Sequence, residues 1–254
     1  MNIQTRPTDV VQANVSSEEW QARVDLAAVY RLTAHYGWGD VIYNHSSMRV
    51  PGQDRHFLMK RHELLYTEIT ASNLVKVCMD DDLDEKAGVN RPGFTLHGGV
   101  LSARPDVNCA VHVHTDLGMA ISGLKGGLRM CSQAALRFYQ RVGYHGYEGI
   151  TEDFDERARI NAALGQNRAL IMHNHGLLTV GKTAREGFVL MKYLVEAAKI
   201  QLMMMATGDT LIEVPQEICE KTASQFAHHD SGRGSADWPA YLRILDKIDP
   251  SYRN

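Results

Sequence analysis

Two histidine pairs separated by one residue, His112-Val113-His114 and His173-Asn174-His175, constrain this chain more than any other feature. Each follows an apolar, strand-forming run: Cys109-Ala110-Val111 before the first and Ala169-Leu170-Ile171-Met172 before the second. On a β-strand, residues i and i+2 leave the same face, roughly 7 Å apart. One such pair aims two imidazoles at a common point, and a third from another strand closes a tripod. Packing alone supplies no reason for adjacent same-face imidazoles. Three neutral imidazoles plus an open position suit a catalytic divalent metal better than a structural one. Spacing does not say which three of the four histidines bind.

The 254 residues are 44% hydrophobic and 22% charged with net charge −3, enough for a sizeable core and without the basic excess that marks a nucleic-acid or anionic-membrane partner. No apolar run reaches the roughly 20 residues of a membrane span. Met1 to Trp20 is polar and lacks the apolar stretch of a signal peptide, so a cytoplasmic location is expected. Cys78, Cys109, Cys131 and Cys219 lack CxxC spacing and read as buried free thiols.

Residues 1–15 read as a mobile lead-in, and 16–254 as a single α/β domain with a helical C-terminal tail. Ser16-Ser17-Glu18-Glu19 and Thr183-Ala184-Arg185-Glu186 are capping boxes. They open helices that stop at Gly37 and, after Met205, at Gly208. Short strands are expected at Asp40–Tyr43, His56–Met59 and Leu74–Met79. Gly93–Ala103, Thr115–Leu124, Thr151–Leu164, Gln216–His228 and Ala236–Ile248 read as helices, and Arg168–Met172 as the strand of the second pair. Asp80 to Glu85 reads as a solvated acidic loop, Ser231 to Ser235 as a Gly/Ser loop, and Met203-Met204-Met205 as core or interface filler. Thr115 starts a helix directly after His114. Gly176 follows His175, where a missing side chain admits close backbone approach.

Three segments carry a family resemblance: VNRPGFTLHGGVLSARPDVNCAVHVHT at 89–115, GYHGYEG at 143–149 and MHNHGLLTVGKTAREGF at 172–188. Together they resemble the class II aldolase/adducin family over roughly residues 20–230. The resemblance implies a three-layer α/β/α sandwich with a central mixed, largely antiparallel sheet. It also implies homotetramers with sites at subunit interfaces, and one divalent ion per subunit held by three histidines. Zinc is expected first, with manganese, iron or cobalt as alternatives. The matched ligands are His112, His114 and His175, with His173 beside them as a substrate-binding group.

The departures from the family pattern bear on the substrate. The sugar-phosphate aldolases carry an active-site glutamate where this chain has Gly93. Their phosphate-binding places fall at Asn44-His45, His62-Glu63 and Asn90-Arg91-Pro92. A phosphate cradle needs small residues that expose backbone N–H groups, so these bulky replacements argue against a sugar phosphate. The adducin-like branch shares the missing glutamate and the Gly-Phe-x-x-His pattern ending at His97.

What the resemblance implies is therefore a metal-dependent carbon–carbon lyase for a non-phosphorylated hydroxy, oxo or hydroxyaromatic carboxylic acid, passing through enolate-like charge. Decarboxylation stands slightly ahead of aldol cleavage, and isomerisation or epimerisation shares the chemistry. A non-enzymatic assembly module, as in adducin, is the competing class. Candidate proton carriers are His97, Glu148 and Tyr144. Candidate substrate contacts are His45, Arg61, His62, Arg91 and His173. In the Lys60-Arg61-His62-Glu63 cluster, arginine would offer a carboxylate a bidentate fork; the plain alternative is a solvated turn. Trp238, Tyr241 and Tyr252 are placed, by analogy with related aldolases, to cover a neighbouring subunit's site.

Overall fold

The computed structural model describes residues 7–80, 88–151, 153–230 and 236–254. Its strands are β1 (His45–Val50), β2 (Gln53–Met59), β3 (Val75–Cys78), β4 (Cys109–Val113), β5 (Val142–His145), β6 (Ala169–Met172) and β7 (Gly176–Gly181). They form one sheet in the order β3-β2-β1-β4-β7-β6-β5. Every neighbouring pair is antiparallel except β5 and β6. The mixed, largely antiparallel sheet is as expected.

Every residue of β4, β6 and β7 is buried, as strands covered on both faces must be. Alternation sorts their side chains into two cores. Cys109, Val111, Val113, Ile171 and Leu177 pack under α2 (Ser17–His35) and α7 (Ala184–Met205). Ala110, Leu170, Met172 and Leu178 pack under α3 (Arg91–Ala103) and α6 (Glu156–Leu164). Helices therefore cover both faces of the sheet, giving three layers. α4 (Asp116–Ser122), α8 (Gln216–Asp230) and α9 (Asp237–Ile248) complete the expected helical set, and the short α5 (Gln133–Leu136) adds to it.

Both capping boxes are half right. Ser16 and Thr183 accept the backbone N–H groups of Glu19 and Glu186, each at 3.1 Å. The return bonds are missing: Glu19 pairs with Arg23 and Lys76, and Glu186 accepts the N–H of Lys182.

Several elements differ from expectation. Pro7–Ala13, read as part of an unpatterned lead-in, is a helix, α1. Asp40–Tyr43 is a turn in which Asp40 and Val41 have φ of 41° and 53°, incompatible with a strand. The helix expected from Thr151 starts only at Glu156. Strands β1, β5 and β7 lie outside the expected set, and glycines interrupt or bound β5 and β7. At Gly143 a Cβ would lie 2.0 Å from the Ala163 carbonyl oxygen, so α6 presses directly on β5.

Cys109, Cys131 and Cys219 are buried free thiols, while Cys78 is only partly covered. Met203, Met204 and Met205 are exposed on α7, not core. Trp238 and Tyr241, partly buried, pack on Phe188, and Tyr252 is fully buried in its own chain's core. The acidic stretch 81–85 and the loop 231–235 lie outside the described residues.

Candidate metal centre

His112 lies on the α3-facing side of β4, directly opposite His45 on β1 and Leu178 on β7. Its Nδ1 is 3.0 Å from the Leu177 carbonyl, to which it donates, leaving Nε2 turned into a cleft. His114 follows immediately, just beyond the strand. Its backbone N–H donates to Asn44 Oδ1, and its Nδ1 faces the Asp40 carboxylate at 3.4 Å. Consequently both histidines present Nε2, and those two atoms are 2.7 Å apart. With both Nδ1 atoms protonated, two lone pairs converge, and a cation between them is the natural way to relieve their repulsion.

The third ring belongs to His175, whose centroid is 4.9 Å from that of His112 and 4.8 Å from that of His114. One nitrogen from each ring lies within 4.8 Å of the others. Burial is the main cause that keeps all three neutral. It holds His112 well below the usual histidine range, lowers His114 against the pull of Asp40, and pushes His175 down to about 4. Neutral imidazoles are the form that binds a metal. The donor set fits a divalent ion of the zinc type with an open side.

The second pair reaches this arrangement differently from the first. His173-Asn174-His175 is the turn between β6 and β7, with Asn174 left-handed at φ 54°. The two side chains therefore diverge. His173 Nδ1 lies 2.8 Å from the Ser122 carbonyl, and its ring stacks on Tyr144. At Gly176 a Cβ would meet the Val113 carbonyl at 2.6 Å and His114 Cδ2 at 3.0 Å. Glycine there lets the hairpin close on β4 and deliver His175, so the close approach is to protein and not to ligand.

The triad forms one wall of a cavity of about 290 Å³, completed by Asp40, Tyr43, His45, Asn90, Tyr147 and Thr151 among others. Among the described residues no lysine or arginine lines it. Of the predicted substrate contacts, only His45 does.

The other candidates stand elsewhere. His97 is wholly buried behind His45, 2.8 Å from its Nδ1, and burial pushes it down to about 3. The Tyr144 hydroxyl accepts the N–H of Leu128. Glu148 is held by Arg159 at 2.6 Å, which keeps its carboxyl below the usual range. Arg61 pairs with Glu63 at 2.8 Å, His62 packs edge-on near Tyr43, and Arg91 sits over the Phe154 ring. Lys60 is buried and donates to the carbonyls of Arg61, His62 and Leu64. Within this stretch Glu63 engages Arg61 through Nε and backbone carbonyls engage Lys60, while the buried His62 Nδ1 has no hydrogen-bond partner among the described residues. Asp40, Tyr43, Tyr147 and Thr151 are not among the sequence's candidate site residues, and Asn90 is there only as part of a matched phosphate-binding place. They come from turns and helix entries whose aim toward the histidines no local pattern encodes.

A three-layer α/β/α fold with three histidines gathered at one end of its sheet defines the class of protein. Residues 24–202 match the family model described as the Class II Aldolase and Adducin N-terminal domain. An aldolase II superfamily protein from Pseudomonas syringae is similar in structure with TM-score 0.88 and 41% identity, covering 96% of this chain and 99% of that one. An L-fuculose 1-phosphate aldolase from Glaciozyma antarctica PI12 is similar with TM-score 0.82 and 27% identity, covering 94% of each chain. Alpha-adducin from Rattus norvegicus is 39% identical over 243 residues, which span 89% of this chain and 33% of adducin. The chain belongs to the class II aldolase and adducin family.

Proposed function

We propose that this protein is a divalent-metal-dependent lyase for a small, non-phosphorylated hydroxy, oxo or hydroxyaromatic carboxylic acid, with decarboxylation ahead of aldol cleavage. The observation that carries this reading is the convergence of Nε2 of His112 and His114, with His175 alongside. A bound ion would supply Lewis acidity, stabilising negative charge left on a substrate oxygen as a carbon–carbon bond breaks.

The chain's own residues argue for the substrate class. A phosphate dianion needs several donors, and at two of the three places where a cradle would lie the side chains are already engaged. Asn44 donates to the Trp38 carbonyl and accepts from His114, and Asn90 Oδ1 caps α3 by accepting the Gly93 N–H. Tyr43 and Tyr147 line a cavity of modest volume, beside Thr151, whose hydroxyl donates to Glu156. That lining suits a small acid whose charge is met by the ion. Aldol cleavage is the second reading, favoured by the likeness to the L-fuculose 1-phosphate aldolase.

Elemental analysis of the purified, reconstituted protein tests the centre. One divalent ion per chain is expected, lost in His112→Ala and His175→Ala. A protein that takes up no ion would favour an assembly module, in line with the similarity to adducin. A screen of 2-oxo, 3-hydroxy and hydroxyaromatic acids should release carbon dioxide or an aldehyde, and release of a phosphorylated product instead would refute the substrate class.

A further inference from the structure

His45 and Ser47 are separated by one residue on β1, so both side chains leave one face, and it is the face of His112, directly opposite His45. α3 crosses that face and lowers His97 between them. His97 Nε2 is 2.8 Å from His45 Nδ1, and His97 Nδ1 is 2.6 Å from Ser47 Oγ. Both His97 and Ser47 are fully buried. Of the three, His45 alone lines the metal cavity. Its Nε2 has no partner among the described residues. The three side chains therefore form an ordered path from closed core to open site.

Ser47 sets the direction of the protons. Among the described residues its hydroxyl meets one hydrogen-bond partner, His97 Nδ1. If that nitrogen carried a proton, the buried Ser47 O–H would have no acceptor, an arrangement native interiors avoid. Ser47 must then donate to His97 Nδ1, and His97 Nε2–H must donate to His45 Nδ1. In consequence His45 carries its own proton on Nε2, at the cavity. Gly93, one turn before His97 on α3, completes the device. A Cβ there would lie 2.8 Å from His45 Cδ2 and 3.0 Å from its Cγ. The His45 ring fills the volume that a side chain at 93 would use, so His45 in this pose excludes one.

We infer that His45 is a catalytic hydrogen-bond donor, a neutral imidazole whose Nε2–H meets the substrate oxygen that gains negative charge. Ser47 and His97 are positioning residues that hold it in the donor tautomer. This rests on the metal-centre reading above and extends it to a specific protein group that lines the same cavity as the three histidines.

The test uses zinc-loaded protein with oxalate as a chelating anionic probe. By calorimetry, at equal zinc content, His45→Phe should weaken oxalate binding about tenfold, the loss expected for one hydrogen bond. His45→Gln, which keeps an N–H near the same place, should recover part of it. Nitrogen-15 spectra of the zinc-loaded wild type should show His45 protonated at Nε2 and unprotonated at Nδ1, and Ser47→Ala should blur that preference. Equal oxalate affinity in wild type and His45→Phe would overturn the inference, as would a proton on His45 Nδ1, while leaving the metal centre intact. Failure of wild type to hold zinc would instead sink the metal-centre reading. The spectra of wild type and Ser47→Ala decide the matter even if His45→Phe does not fold.

Discussion

Asp40 shows how much one residue's backbone can contribute. It and Val41 adopt left-handed φ of 41° and 53°, a conformation a β-branched valine rarely takes and one that concentrates at functional sites. The bend turns the Asp40 carboxylate toward His114 Nδ1, 3.4 Å away. A carboxylate behind a metal-binding imidazole fixes its tautomer and raises its basicity, and losing it typically weakens metal binding about 10–100-fold. Asp40→Asn should therefore lower zinc affinity within that range, measured by chelator competition, while the melting temperature of the metal-free protein hardly moves. A change in melting temperature without a change in affinity would make Asp40 a fold residue. Nothing in the sequence distinguishes Asp40 from any other loop aspartate. His112 and His114 were legible because a strand's two-residue period is local, whereas Asp40 reaches His114 across 74 positions of chain.

At the scale of elements, the cores on the two faces of the sheet depend on close approach at a few seams. α6 touches β5 at Gly143, where a Cβ would sit 2.0 Å from the Ala163 carbonyl. Gly143→Ala must push the helix outward, and overpacking of that kind costs about 1–3 kcal/mol, seen as a lower urea midpoint. A variant as stable as wild type would show that the seam yields freely. A second seam joins the end of α3 to the end of α6. Buried Arg104 grips both oxygens of Asp106, at 2.7 and 2.8 Å, and donates to the carbonyls of Gly165 and Asn167. That grip holds the Asp106 carboxyl below its usual range. A carboxyl whose folded pKa is depressed contributes stability above the unfolded value of about 3.9 and loses it as pH falls through the folded value. Stability should thus drop below about pH 4, and Asp106→Asn should flatten that acid limb in urea titrations at pH 5 and 3; an unchanged acid limb would remove Arg104 and Asp106 from the account. Helices with capping residues and long apolar stripes were readable in advance. β5 and β7 were not, because their glycines, required by the neighbouring α6 and β4, look like turn signals in isolation.

Across the whole molecule, the C-terminal segment is tied to the first long helix. Arg31 on α2 donates to Asp249 and Ser251, Ser72 N–H donates to the Asn254 carbonyl, and Tyr252 is fully buried. Tyr252→Ala should cost about 3–5 kcal/mol, as large aromatic truncations in a core do. At roughly 2–4 °C per kcal/mol for a chain of this size, the melting temperature should fall by about 6–20 °C. Zinc content should stay at the wild-type level, since the residue belongs to the core under α2; loss of zinc without loss of stability would return Tyr252 to a metal site. By itself the sequence determined the capped helices, the strands leading into the two histidine pairs, the first histidine pair and, through its motifs, the family. These are local periodicities or contiguous segments, and they survive without knowledge of the rest of the chain. Only the tertiary structure decided that His173 turns away while His175 turns in, that Asp40 stands behind His114, and that His45 fills the space beside Gly93. Each of those outcomes depends on where separate elements are brought together, and such distances are set by packing rather than by neighbours in sequence.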